Sequence, residues 1–421
     1  MNTAEPKPLA AASGPAAHRP LAWLVGLTLS VWIATAIWPR IPLLLGIYNF
    51  GQPYLDSHAV LSALDAVRAG YDPHGMNPLD ALHRPHVYSD WWLALRWLGL
   101  GREHNLIVGT AWVAAFALAA WTTMKPRKVG EAVWLAALMV SPALLFVVNR
   151  ANNDLVIFVL LLGVGLVTRR AWWGGVVAVA CLGLATGLKY FPAPAALAFL
   201  WVRPVRRAPM WVLAGLFAVG GALLCVWSDI ARSRFTIASG IYTMGAPLLW
   251  RDLGWKDGTA ALPGLALVAG AALLLTLGRV TAGLTERGET RERLLAAMGA
   301  IVILTCFLAG VNYAYRWIFV LWPAYWLGHQ AIDATLPARQ RWAARLACAL
   351  VVACLWMDGL LAARVNLYFS HHAQAWQNEL DILWRRWTQP LHWLLMMLLA
   401  GWLGEGMLAT VRDWWRCRHD P

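Results

Sequence analysis

The residues of this chain whose types could do chemistry are concentrated in one polar stretch. It opens with Tyr54-Leu55-Asp56-Ser57-His58 and continues to Gly70-Tyr71-Asp72-Pro73-His74, with Asp65, Asp80 and Asp90 in the same loop. Asp56 leads this group. A carboxylate flanked by Pro53, Tyr54 and Leu55 at the edge of an apolar region is partly desolvated, and desolvation raises its basicity. Such a group can take the proton of an attacking hydroxyl as the new bond forms. The plainer role for Asp56 is to cap a helix starting at Ser57, because Asp is favoured at that position. The two roles are compatible. Asp72 ahead of Pro73 reads as a turn residue, and Asp65 can face water on an amphipathic stretch over residues 54–69.

Three further groups could act with it. Asn149-Arg150-Ala151-Asn152-Asn153-Asp154 is a polar break between two apolar runs. Arg150 can bind a phosphate, Asn152 and Asn153 can hydrogen-bond sugar hydroxyls, and Asp154 opens the next helix. A tight turn with a helix cap accounts for the Asn and Asp equally well. Lys189-Tyr190-Phe191-Pro192 ends another run, where Lys189 either snorkels or supplies fixed positive charge to an anionic leaving group. In Asn312-Tyr313-Ala314-Tyr315-Arg316 an arginine stands beside two phenols, Tyr313 and Tyr315. Arg316 can clamp phosphate oxygens in bidentate fashion, and an aromatic-belt turn is the alternative. His58 and the pair His371-His372 complete the set. Adjacent histidines point to different faces and no carboxylate–histidine spacing accompanies them, so no metal site is expected. His58, Asp154, Tyr190 and His371 are kept as accessory candidates. Arg251-Asp252 and Lys256-Asp257 read as solvated pairs worth little.

These groups must be positioned by membrane spans. Hydrophobic residues make up 60% of the 421, charged residues 14%, and 28 are Trp; a soluble domain carries roughly a quarter charged residues. Apolar stretches of about 20 residues recur, each long enough to cross a bilayer core as a helix. No β-barrel alternation and no internal repeat is evident. The reading is an all-α, polytopic transmembrane helical bundle of about 10–12 spans, with a first loop (39–103) carrying interfacial helices over 54–69 and 88–98. Spans are expected at 21–38, 104–124, 131–148, 154–168, 172–189, 190–202 (short and Pro-interrupted), 209–227, 259–278, 294–311, 317–334, 342–358 and 388–411. Residues 1–20 read as a disordered tail, 21–411 as a single domain and 412–421 as a basic tail. The net charge of +13 lies in short basic clusters between spans, which favours a positive-inside distribution over nucleic-acid binding. That distribution puts both termini in the cytoplasm and every group named above on the outer side. Six cysteines show neither a disulfide framework nor metal-ligand spacing.

Asp56 followed by Ala63-Leu64-Asp65-Ala66-Val67-Arg68-Ala69-Gly70-Tyr71-Asp72-Pro73 resembles the first outer loop of the bacterial polyprenol-phosphate-dependent GT-C glycosyltransferases, in particular the alpha-mannosyltransferases of glycosyltransferase family 87. The break at 149–154, the block Leu188-Lys189-Tyr190-Phe191-Pro192 and the block at 312–316 are similar to later family blocks in the same order. His74 stands where the family usually has Tyr, and Asn149 and Ala151 replace an acid and a Gly. The resemblance implies an inverting hexosyltransferase of the bacterial inner membrane, with a polyprenyl-phosphate-linked sugar (mannose or another hexose) as donor and a glycolipid or glycan hydroxyl as acceptor. It makes Asp56 the general base and places the donor phosphate near Lys189, Arg316 or Arg150. With no nucleotide cradle and no Asp-x-Asp motif, metal independence is the default and no cofactor is implied. A flippase or exporter of lipid-linked glycans, and a polymerase or ligase using a lipid-diphosphate donor, are the alternatives. The oligomeric state is open.

Overall fold

The computed structural model describes residues 19–47, 51–169, 171–233, 242–252, 270, 290–369 and 374–419. The expected span at 259–278 apart from Gly270, the Lys256-Asp257 pair, His371-His372 and the 1–18 segment lie outside the described residues. The chain is an all-α polytopic bundle, as its composition requires. Its helices are α1 (Arg19–Ile37), α2 (Arg40–Leu44), α3 (Leu55–Arg68), α4 (Asn105–Thr123), α5 (Val129–Met139), α6 (Pro142–Asn149), α7 (Asp154–Val164), α8 (Trp172–Leu188), α9 (Ala208–Cys225), α10 (Trp227–Ser233), α11 (Ala246–Asp252), α12 (Thr290–Ala309), α13 (Leu321–Ile332), α14 (Ala338–Phe369) and α15 (Gln374–His419). Among the described residues six helices are long and apolar enough to cross a membrane, seven if the α5–α6 pair, bent by 57°, is one span. The stretch read as 131–148 is this bent pair. Ser141 and Pro142 account for the break, since Pro removes a helical N–H and clashes with the preceding turn.

The stretch at 190–202 is a nine-residue 3-10 helix, Ala193–Trp201, which is too short to cross and packs against α9 and α12. The tail expected from residue 412 continues α15 as helix to His419. Arg251 and Asp252, read as loop, close α11.

α7 packs against α4, α8 and the segment Ala314–Val320. After Asp154 its sequence is apolar on every side, which suits a helix with packed and lipid-facing sides. Phe158 stacks on Trp322 with ring centroids 4.1 Å apart and meets Phe116 edge-on at 5.0 Å. Inside a bilayer such close packing, rather than transfer from water, holds helices together.

The polar loop is docked onto this bundle at several points. Ten of the fourteen α3 residues are buried. Tyr54, in a left-handed conformation (φ 54°), precedes α3, and its ring occupies the space a Cβ on Gly109 of α4 would need, 2.3 Å away. Ser57 donates to Asn105 Oδ1 at 2.6 Å, and Asn105 Nδ2 donates to the Pro53 carbonyl at 2.7 Å. The aromatic stretch forms a 3-10 helix, Asp90–Leu98. Its Trp92 Nε1 donates to the Leu188 carbonyl at 3.1 Å, and Trp91 fills the place of a Cβ on Gly187, 2.0 Å away. The end of α8, and with it Lys189, is thereby fixed against the loop. A two-residue antiparallel pairing of β1 (Thr243–Met244) with β2 (Asn312–Tyr313) anchors the 312–316 block.

Candidate active site

The break between α6 and α7 is built by a helix-terminating motif. Ala151 takes a left-handed conformation (φ 41°), Asn152 N–H donates to the Val147 carbonyl at 3.1 Å, and Ala151 N–H donates to the Val148 carbonyl at 3.0 Å. This is the Schellman pattern, with Ala where Gly is usual. It turns the chain so that Arg150 and Asn152 reach Asp56 of α3, while Asp154 meets Lys189 at the end of α8. The Asp56 N–H in turn donates to the Arg150 carbonyl at 2.9 Å.

Asp56 is 2% exposed and is the hub. Arg150 grips it with both prongs, Nε to Oδ2 at 2.8 Å and Nη2 to Oδ1 at 2.6 Å. Asn152 Nδ2 donates to Oδ2 at 2.7 Å and Arg84 Nη1 to Oδ1 at 3.3 Å. Each carboxylate oxygen therefore accepts two hydrogen bonds, close to its full capacity. Burial on its own raises the Asp56 pKa, but the Arg150 charge and hydrogen bonds, aided by Asn152 and Arg84, outweigh it and hold the carboxyl below its usual 3.8. This corrects the expectation of a base made stronger by desolvation: the paired arginine wins. Nor does Asp56 cap a helix at Ser57. α3 begins one residue before Asp56, which lies in its first turn.

A second pair lies alongside. Lys189, at the end of α8 and 8% exposed, is ion-paired with Asp154, which is fully buried, and its Nζ also donates to Asn152 Oδ1 at 3.3 Å. Asn152 thus ties the Asp56–Arg150 pair to the Lys189–Asp154 pair. Around Lys189 stand the rings of Tyr88, Tyr315 and Phe191, at 5.2, 5.6 and 5.8 Å, an aromatic cage that stabilises a cation by its quadrupoles. Arg316 also lies over Phe191, its Cζ 4.1 Å from the ring, and donates to Cys306 Sγ at 3.2 Å. Among the described residues no carboxylate lies within ion-pairing distance of Arg316, and its Nε is buried without a hydrogen-bond partner. Asn153, fully buried, has both side-chain polar atoms unpartnered, as is Asp154 Oδ2.

The structure brings together Asp56, Arg150, Asn152, Asp154, Lys189, Tyr315 and Arg316. Tyr313 stacks on Tyr315 at 5.4 Å from a half-exposed position. Two candidates lie apart. Tyr190 is 45% exposed, and His58 sits behind the site with Nδ1 3.4 Å from Asp80. Asp80, named among the loop acids, pairs with Arg84; the residues not singled out from sequence are Arg84, Tyr88 and Tyr242. Arg84 contacts Asp80 through Nε at 2.9 Å and reaches both the Asp56 carboxylate and the Leu55 carbonyl. An arginine on a loop expected outside runs against the charge rule, but Arg68, Arg96 and Arg102 do so too, and the rule does not mark out Arg84. Tyr242 stacks on Phe146 at 4.6 Å. Among the described residues no three of His, Cys, Asp and Glu converge as a metal cage; Asp56 and Asp154 are both held by cations.

The fold and this cluster define a multi-pass, all-α membrane protein with a buried ion-pair network where a loop meets the ends of apolar helices. Over 247 residues the chain is 27% identical to a curated protein of Mycobacterium tuberculosis, the polyprenol-phosphate-mannose-dependent alpha-(1-2)-phosphatidylinositol pentamannoside mannosyltransferase. The match covers 58% of this chain and 52% of the relative, so the chain spans about half the relative's length. No family model and no solved structure matches the chain.

Proposed function

We propose that the chain is an integral-membrane mannosyltransferase that moves a mannosyl group from a polyprenyl-phosphate-linked donor to an acceptor hydroxyl on the outer face, with inversion. The carrying observation is the charge balance at the cluster. Arg84, Arg150, Lys189 and Arg316 stand against Asp56, Asp80 and Asp154, an excess of one positive charge centred on Arg316. A polyprenyl phosphosugar is a phosphodiester with one negative charge, and it matches that excess; a lipid diphosphate carries more charge than the cluster leaves unpaired. The distant mannosyltransferase relative supports the same donor class.

In the reaction the acceptor O–H proton passes to an Asp56 oxygen and the acceptor oxygen bonds to the anomeric carbon. The bond from that carbon to the phosphate oxygen breaks, leaving a polyprenyl phosphate with one more negative charge. Arg316, Lys189 and Arg150 offset that charge where it develops. Because the hydrogen-bonding capacity of the Asp56 oxygens is nearly filled, one bond to Asp56 must be released before it accepts a proton. Arg150, exchanging Asp56 for the donor phosphate, is the group that links donor binding to base release.

The test is transfer of labelled mannose from a synthetic polyprenyl-phosphate donor by the purified chain. A positioned base contributes roughly a hundredfold to ten-thousandfold, so Asp56→Asn should lose at least a hundredfold in turnover while still binding donor. Full transfer by that variant refutes the assignment of Asp56, and no transfer by the wild type with any polyprenyl-phosphate sugar refutes the donor class.

A further inference from the structure

A cavity of about 230 Å³ opens between α5, α13 and α14. It lies at the end of the bundle away from Asp56. The α5–α6 pair runs from this cavity to Arg150, and residues 314–332 run from Tyr315 at the site to this cavity. Trp134, Leu135 and Ile332 give it an apolar wall, and Glu131, His329 and Arg345 line it as polar groups.

Glu131 and His329 are ion-paired with each other, and each keeps one buried polar atom without a hydrogen-bond partner. Glu131 Oε2 accepts the Arg127 N–H at 2.6 Å, but Oε1 is buried with no hydrogen-bond partner. His329 is 8% exposed, and its Nε2, 3.7 Å from Glu131 Oε2, has no hydrogen-bond partner. Arg345 spends its Nε–H on the Ala331 carbonyl at 3.0 Å, and among the described residues no carboxylate lies within ion-pairing distance of it. The flanking segments 125–131 and 338–345 carry six Lys and Arg side chains and the one acid, Glu131.

An apolar recess with a cationic rim, between membrane helices, is what an anionic lipid headgroup and its chain require. We propose that this cavity binds one anionic phospholipid of the surrounding bilayer. Part of an acyl chain lies against Trp134, Leu135 and Ile332, and the phosphate lies at Arg345. Glu131 repels a bare phosphate, so the headgroup that fits also bears a hydroxyl. That hydroxyl donates to Glu131 Oε1 and supplies a partner for His329 Nε2. Phosphatidylglycerol has this chemistry. Phosphatidic acid lacks the hydroxyl, and phosphatidylcholine lacks both the hydroxyl and the net charge.

Native mass spectrometry of the delipidated full chain, titrated with each of the three lipids, tests this. Phosphatidylglycerol is expected to bind in preference to both others. One cation near a headgroup is worth about fivefold in binding, so Arg345→Ala should weaken phosphatidylglycerol binding by that factor, and Arg345→Lys should restore most of it. Equal binding of phosphatidylcholine overturns the site with no variant needed. Unchanged binding by Arg345→Ala overturns the role of the cation, and equal binding of phosphatidic acid overturns the hydroxyl contact.

Discussion

The sharpest consequence of the Asp56–Arg150 pair is energetic. Arg150→Gln leaves Asp56, 2% exposed, with only Asn152 at 2.7 Å and Arg84 at 3.3 Å. Asp56→Asn leaves the Arg150 guanidinium, with 16% of its side-chain surface exposed, facing an amide that can no longer neutralise it. Removing one partner of a buried ion pair costs about 3–5 kcal/mol, because the survivor stays desolvated and uncompensated. The double variant removes both charges and leaves two amides of similar shape, so the penalties do not add. Residues in direct contact show coupling of up to about 3 kcal/mol, and a bidentate pair of this burial belongs near that limit. Unfolding in detergent, followed through the 28 tryptophans, gives all three values. The pH dependence supplies an independent check. The folded pKa of Asp56 is depressed below 3.8, so its stabilisation is fully present above that value and is lost as the pH falls through the lower, folded one. Arg150→Gln removes the main cause of the depression and leaves the effect of burial, so the contribution of Asp56 is lost at higher pH than in the wild type. Additive single-variant penalties, or an unchanged acid limb, refute the pairing.

The two remaining cations separate stability from donor binding. Lys189→Met strands the fully buried Asp154 and should cost about 3–5 kcal/mol in the same unfolding assay. Arg316→Ala breaks only contacts to a thiol and an aromatic ring and should leave stability nearly intact while raising the donor KM. A charged hydrogen bond is worth about 1.5–3 kcal/mol, so about tenfold to a hundredfold is expected; steady-state kinetics with varied donor decide it, and an unchanged KM removes Arg316 from the donor site. His86, in the loop, is pushed down to about 4 from 6.5 chiefly by burial. The unfolded chain then binds a proton that the folded chain refuses between those values, so stability falls as pH drops through that window, by roughly 3 kcal/mol in all. His86→Gln should flatten the unfolding curve between pH 6.5 and 4, and an unaltered slope refutes the reasoning.

The bundle was legible because membrane helices announce themselves by length and apolarity, and the helix starts at Asn105, Asp154 and Trp172 fall within a residue of those read from composition. The convergence of Asp56, the 149–154 break and Lys189 was legible for a related reason. Polar residues that cap or end apolar helices must lie at the ends of the bundle, and those ends meet. What the sequence could not disclose is which of two opposed effects governs Asp56. Burial and cationic neighbours act on the same carboxylate with opposite sign, and the outcome turns on Arg150 approaching to 2.6 Å with both prongs. That approach depends on Ala151 accepting a left-handed turn, a conformation that Ala disfavours by roughly 1–2 kcal/mol. Arg84 escaped notice for a different reason: it stands 28 residues from Asp56, and no periodicity links a loop arginine to a helix it meets only in three dimensions. The same limit applies to the cavity between α5, α13 and α14. Glu131 and His329 are far apart in sequence and in helices read as spans, and only the packing of those helices sets the imidazole 3.7 Å from the carboxylate.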